Sequence, residues 1–246
     1  MYRERHRWFS ANLQRDMEVL VYGSYGKPML VFPTAAANCY EYEDFGMIAA
    51  IAHRIDEGKV KVFCVDSVNG ESWMNQEAPL QWRSLRQAQY DGYVRNEIVP
   101  FIHDACKTAG IPIITTGSSF GAYHAANSLF KHPDVIKCCV AMSGLYDLRR
   151  CVNDPRGYDD NFYFNNPVDY LANMNDDYHL PLLQHTCDIN IVCGTGPWEN
   201  PDFSRQISNV LARKNIPHKL DLWGSEAAHD WPWWMKEINH YLDIKV

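Results

Sequence analysis

Short runs of β-branched and aromatic residues alternate along the chain with longer segments in which apolar residues recur every three or four positions. Two period-two runs, 8–13 and 16–22, flank a polar turn and predict an antiparallel edge. From residue 28 onward strand and helix signals take turns. An apolar run at 28–32 is closed by Pro33 and followed by the small-residue loop Thr34-Ala35-Ala36-Ala37-Asn38. A helix is expected over 42–57, where Phe45, Ile48, Ala49, Ala52 and Ile55 share one face and Gly58 provides the stop. A buried strand follows at 60–65, then a loop to residue 81, then a long helix at 84–109 that Pro100 should kink. The run Ile113-Ile114-Thr115-Thr116 leads into a small-residue helix at 122–129. Further strands are predicted at 135–142, 189–193 and 218–223, and further helices at 203–214 and 234–242. Such alternation predicts an α/β fold of about eight strands, mostly parallel, with helices on both faces. The stretch 145–188 lacks a regular core element, apart from a short helix near 168–174, and reads as a cap inserted over the C-terminal edge of the sheet.

One junction in this pattern carries chemistry. Between the strand at 113–116 and its helix lies Gly117-Ser118-Ser119-Phe120-Gly121, a G-x-S-x-G sequence in the strand-turn-helix setting of a nucleophile elbow. A serine in so tight a turn leaves no room for side chains two positions away, hence glycine at 117 and 121. Ser119 becomes the candidate nucleophile, and the Phe120 N–H, first in the helix, a candidate oxyanion donor. Ser118 would be flanked by Thr116 and Phe120 and is the poorer choice.

A serine hydroxyl needs a base, and the base needs an orienter. Of ten histidines, His229 alone falls between the last strand and the last helix. His124 lies on the elbow helix about one turn from Ser119, where packing or solvent exposure is expected. In the chain order Ser, acid, His, the acid follows the strand at 189–193. Glu199, in Gly194-Thr195-Gly196-Pro197-Trp198-Glu199, is the first choice; Asp202, expected as a helix N-cap, and Asp147, after the preceding strand, are alternatives. The second oxyanion donor is expected at Ala35 or Ala36, where small residues let backbone N–H groups approach a substrate. Trp73, Phe162, Phe164, Trp198, Trp231 and Trp233 fall in loops on the same side of the sheet. Trp73, Phe162, Trp198 and Trp231 are carried forward as lining a substrate cleft, against the alternative that these rings pack the cap onto the sheet.

Composition narrows the picture further. A hydrophobic fraction of 46% over 246 residues suits one large core, so residues 1–246 are expected to form a single domain. A net charge of −7 argues against nucleic acid and anionic membranes as partners, and Arg3, Arg5, His6 and Arg7 read as a solvated terminus. No run approaches the roughly 18 apolar residues of a membrane span, and the charged N-terminus has no apolar signal core. Eight cysteines show no metal-ligand spacing and read as small buried hydrophobes in a reducing compartment. The expectation is a cytoplasmic protein without metal or cofactor. Asp159-Asp160-Asn161 and Asn175-Asp176-Asp177 lack calcium-loop spacing and read as solvated turns.

Taken together, Phe32-Pro33-Thr34, Tyr40-Glu41-Tyr42-Glu43-Asp44-Phe45-Gly46, the elbow, Gly194 to Glu199, and Trp223-Gly224 to His229-Asp230-Trp231-Pro232 resemble an esterase family of α/β-hydrolases. That family is related to esterase D, the feruloyl esterases and the antigen 85 mycolyltransferases. The resemblance runs over nearly the whole chain in the right order, departing only in Ala35-Ala36-Ala37, where a glycine is expected. It implies a serine hydrolase acting on small-molecule carboxylic esters, with Ser119 as nucleophile, Glu199 as acid, His229 as base, and Phe120 with Ala36 as oxyanion donors. An acyltransferase on the same machinery, or a non-catalytic binding protein on the same fold, are the competing readings.

Overall fold

In a computed structural model, which describes residues 1–152 and 156–245, eight strands form one sheet in the order β1-β2-β4-β3-β5-β6-β7-β8. The strands are β1 (Arg3–Ser10), β2 (Arg15–Tyr22), β3 (Lys27–Phe32), β4 (Val60–Val65), β5 (Ile113–Ser118), β6 (Ile136–Met142), β7 (Asp188–Cys193) and β8 (Lys219–Leu222). The β1–β2 and β2–β4 pairs are antiparallel and the remaining pairs parallel. Side chains alternate across the central strands. Leu30 and Phe32 of β3 enter one core with Phe63 and Val65 of β4, whereas Met29 and Val31 enter the other with Val62 and Cys64. Both faces are therefore buried, which is why these strands read as continuous apolar runs.

The first face is covered by α4 (Leu80–Tyr93), α5 (Val99–Ala105), α6 (Phe120–Lys131), α8 (Pro167–Asn173), α9 (His179–His185) and α10 (Pro201–Arg213). The second is covered by α1 (Glu41–Asp44), α2 (Met47–Ala50), α3 (Ala52–Asp56) and α11 (Trp231–Lys245). The helix expected over 42–57 is thus three short ones. Gly46 adopts φ +80° and Ile51 leaves helical geometry, interrupting the ladder while Tyr42, Ile48 and Ile55 stay on the core side. The helix expected at 84–109 begins earlier and is divided by a π-helical turn, Val94–Ile98, just before Pro100. A proline has no N–H to continue the i→i−4 ladder, and the wider turn takes up the mismatch.

The stretch 145–188 is more regular than its sequence pattern implies. It holds a 3-10 turn at Leu148–Cys151, then α7 (Asp160–Tyr163), α8 and α9. Val168, Tyr170, Leu171 and Leu183 join the core beside α6 and α10. Helices of seven residues are too short to establish a period, so their burial comes from tertiary contact. The basic N-terminal residues sit on edge strand β1, not on a solvated tail: Arg3 pairs with Glu43, Arg5 with Glu18 and Arg7 with Asp16. Charges along an exposed edge discourage pairing with another chain. No helix among the described residues is long and apolar enough to cross a membrane.

Candidate active site

The loops leaving the C-terminal ends of the parallel strands meet beside the point where the chain, having placed β4 on one side of β3, crosses to place β5 on the other. Open α/β sheets bind ligands at such switch points. Ser119 stands there between β5 and α6 with φ 54° and ψ −119°. The need for glycine around it is steric. A Cβ on Gly117 would lie 2.4 Å from the Gly121 carbonyl carbon, and one on Gly121 would lie 2.3 Å from the Phe32 oxygen. The second contact also presses the elbow against the end of β3, so the loop 34–37 starts beside it. Ser118 is fully buried at the end of β5 and inaccessible to substrate.

His229 reaches this point from the loop after β8, whose path is fixed by Gly196 N–H donating to the Ala227 carbonyl at 2.9 Å and His229 N–H to the Pro197 carbonyl at 3.0 Å. Its Nε2 lies 3.0 Å from Ser119 Oγ and its Nδ1 3.2 Å from Glu199 Oε2. With Nδ1–H donating to the carboxylate, Nε2 is free to accept from the serine hydroxyl. The Glu199 side chain is 2% exposed. Its other oxygen accepts from Ser143 Oγ, which in turn accepts from Trp234 Nε1 at 3.0 Å, and Cys193 Sγ lies 3.4 Å from Oε2. Burial by itself pushes the carboxyl pKa up. Hydrogen bonds from His229, Ser143 and Cys193, with the His229 charge, outweigh it and hold Glu199 below the usual carboxylate range. The Trp234 ring stands edge-on to the His229 ring, with centroids 5.0 Å apart.

Neither alternative acid approaches His229. Asp202 is exposed and pairs with Arg205 at 2.8 Å; the N-cap of α10 is Asn200, whose Oδ1 accepts from the Asp202 N–H. Asp147 is engaged by Arg149, Gln206 and Asn166.

The cleft at Ser119 has a volume of about 150 Å³ and is lined by Phe120, Leu145, Trp198, Asn200 and Phe203 beside Glu199 and His229. Of the four aromatic residues expected there, only Trp198 lines it, 85% exposed. Trp73 and Phe162 are buried edge to face against each other under Phe120, because the first half of 145–188 folds down onto α4 and α6. Trp231 stacks on Phe45 and stands edge-on to Tyr42 and Trp234, bracing the start of α11. Among the described residues of the expected cap, Leu145 alone lines the cleft.

Ala35 and Ala36 are exposed at the end of β3, with the Ala37 N–H closing a turn on the Thr34 carbonyl at 3.0 Å. Ala35 has φ +38°. Of seven non-glycine residues with positive φ among those described, three line the cleft, Ser119, Ser143 and Trp198, and a fourth is Ala35 in the loop after β3; Ala36 lines a separate groove with Asn38, Asp66 and Ser67. Strain concentrated in this way marks a functional surface. Ser143, Trp234 and Cys193 carry no sequence signal that would place them beside Glu199, apart from the strand end at Ser143-Gly144.

The fold is that of the α/β-hydrolases. A ferulic acid esterase structure matches with TM-score 0.73 at 15% identity, over 99% of this chain and 96% of that one. An S-formylglutathione hydrolase from Agrobacterium tumefaciens matches with TM-score 0.72 at 13% identity, over 98% and 93% of the two chains. The fluorophosphonate-binding serine hydrolase F of Staphylococcus aureus matches with TM-score 0.68 at 13% identity, over 99% and 97%. A search of curated proteins finds no match. The family described as "Putative esterase" matches residues 10–243, and the chain belongs to that family. It is a carboxylic ester hydrolase.

Proposed function

We propose that the chain cleaves small-molecule carboxylic esters through an acyl-enzyme on Ser119, with His229 as base and Glu199 as its orienter. The observation that carries this reading is the continuous chain of contacts from Ser119 Oγ through both ring nitrogens of His229 to a buried carboxylate. His229 Nε2 takes the serine proton as Oγ bonds to the ester carbonyl carbon. The carbonyl π electrons move to oxygen, where the Phe120 N–H, an orphan donor at the start of α6, and the Ala36 N–H receive the negative charge. Collapse of this intermediate breaks the bond to the alkoxy oxygen, and the alcohol leaves with the proton from Nε2. Water then gives a proton to Nε2 and adds to the acyl carbon; the second collapse releases the acid and returns the proton to Ser119. Glu199 fixes the tautomer and stabilises the imidazolium formed in each half.

The cleft is small. A cavity of about 150 Å³ holds roughly one benzene ring, so a short or single-ring acyl group is favoured, with Leu145, Trp198 and Phe203 against it. Eight free thiols suit a reducing, cytoplasmic setting.

A fluorophosphonate probe tests the reading. The expected result is a single covalent adduct on Ser119, lost in Ser119→Ala and His229→Ala; a folded wild-type protein that never labels and turns over no ester would overturn it. Added acceptor alcohols should leave the free acid as the main product, whereas predominant transesterification would make the protein an acyltransferase.

A further inference from the structure

Behind the elbow lies a buried polar relay that the proposed mechanism does not use. His124 sits on α6 at 2% exposure, surrounded by the rings of Phe32, Tyr90, Phe120 and Tyr123 at centroid distances of 4.9–5.8 Å. Its Nε2 lies 2.7 Å from Asn69 Oδ1, and Asn69, fully buried after β4, donates from Nδ2 to the Ala35 carbonyl. Every role in this relay is forced. A backbone carbonyl can only accept, so the amide nitrogen of Asn69 must face Ala35 and its oxygen must face His124, which therefore carries its proton on Nε2. Burial drives the imidazole pKa down to about 3, so the ring is a neutral, fixed donor at any working pH.

We propose that His124 and Asn69 are positioning residues for the oxyanion loop, holding the Ala35 carbonyl so that the Ala36 N–H is presented to the carbonyl oxygen of an ester bound at Ser119. The physical basis is the planar peptide unit. The Ala35 C=O and the Ala36 N–H belong to one peptide, no peptide bond among the described residues is cis, and in a trans unit these two groups point in opposite directions. Drawing the carbonyl inward to Asn69 turns the amide outward. Ala35 holds φ +38°, a conformation an alanine rarely keeps without an external tie. The origin of the relay matters equally. Phe120 and His124 are four residues apart and share one face of α6. A single rigid helix then carries Ser119 at its start, one oxyanion donor in its first peptide, and the anchor of the second donor one turn later.

This inference rests on the proposed role of Ser119 and Ala36, and its test separates the two. Turnover of a short-chain p-nitrophenyl ester is measured per Ser119 titrated with fluorophosphonate, so that misfolded molecules are not counted. Asn69→Ala and His124→Phe, which keeps a ring but removes the N–H, should each lower kcat roughly 10- to 100-fold with KM within about threefold, somewhat less than outright loss of an oxyanion donor. Because both act through one chain, the double variant should be no worse than either single one. His124→Gln, which keeps an N–H donor, should recover most of the loss, and Asn69→Ser replaces Asn69→Ala if the latter does not fold. Per-site kcat within twofold of wild type in Asn69→Ala, losses that multiply in the double variant, or a His124→Gln variant as poor as His124→Phe would overturn the relay. Undiminished turnover in Ser119→Ala, read per mole of folded protein because that variant has no serine to titrate, would instead overturn the proposed function, and the relay with it.

Discussion

The elbow and the oxyanion loop stand side by side at the ends of β5 and β3, and their conformations have different origins. At the elbow the demand for glycine is steric, since a Cβ on Gly117 would lie 2.4 Å from the Gly121 carbonyl carbon and one on Gly121 2.3 Å from the Phe32 oxygen, while the Ser119 N–H donates to the Met142 carbonyl at 2.9 Å. Ala35, also at positive φ, has no such flank. It is tied from residues 34 and 89 positions away in sequence, through Asn69 and then His124, while Thr34 before it donates its N–H to Glu41 at 2.7 Å. The glycine demand of a tight turn is visible in five residues. A turn made by distant hydrogen bonds is written nowhere near itself.

The largest effect should come from the acid that links these loops to His229. Glu199→Gln removes the carboxylate while keeping the shape, and kcat should fall roughly 10²- to 10⁴-fold. Asp202→Asn, on exposed Asp202, should stay within about twofold; equal losses in steady-state kinetics would reopen the choice of acid. At the elbow, Gly121→Ala should cost roughly 2–4 kcal/mol of stability, read by urea unfolding, and abolish Ser119 labelling, because the added Cβ meets the Phe32 oxygen. A variant that labels normally would mean the turn is not sterically set.

Glu237, on α11, represents a third condition, held by neither sterics nor partners. It is 1% exposed, and neither carboxyl oxygen has a hydrogen-bond partner among the described residues. Burial, with the charges of Glu199 and Asp221, raises its pKa from 4.5 to about 8. The folded protein therefore keeps this proton between those values while the unfolded chain releases it, so the residue's contribution to stability falls as pH rises from about 4.5 to about 8 and is level above. Glu237→Gln removes that dependence. Its stability relative to wild type should increase between pH 5 and pH 8, by an amount on the order of 3 kcal/mol, checked by urea midpoints at both pH values. An equal difference at the two would show that the carboxyl is ionised in the fold.

The smallest effect belongs to the support of the oxyanion loop. Glu41 accepts from both the N–H and the hydroxyl of Thr34. Glu41→Gln retains one acceptor and should lower kcat about three- to tenfold, in line with roughly 1 kcal/mol for a hydrogen bond. If kcat were unchanged, Asn69 alone would hold the loop.

The same division runs through the rest of the fold. Strand β4 occupies the predicted residues because a buried strand is a plain apolar run bounded by turn residues. The split of 42–57 into three helices was hidden because the apolar period survives the interruptions at Gly46 and Ile51. The buried edge-to-face pair of Trp73 and Phe162 cannot be told from cleft-lining rings in the sequence, because exposure is not encoded in an aromatic residue's own neighbours. Of Glu199, Asp202 and Asp147, the folded loops bring Glu199 to His229 Nδ1, and chain order alone cannot measure such a distance.

Periodicity and the steric demand for glycine act within a few residues, so the alternation of strands and helices after residue 28, the buried strands and the elbow at Ser119 are legible in the chain itself. The hydrogen bonds from Ser143 to Glu199 and from Trp234 to Ser143, the place of Trp198 in the cleft and of Trp73 against Phe162, and the tie from the Ala35 carbonyl through Asn69 to His124 appear only in the folded chain. Those are contacts between segments far apart in the chain, and hydrogen bonding and burial across such separations exist only once the sheet has brought its loops together.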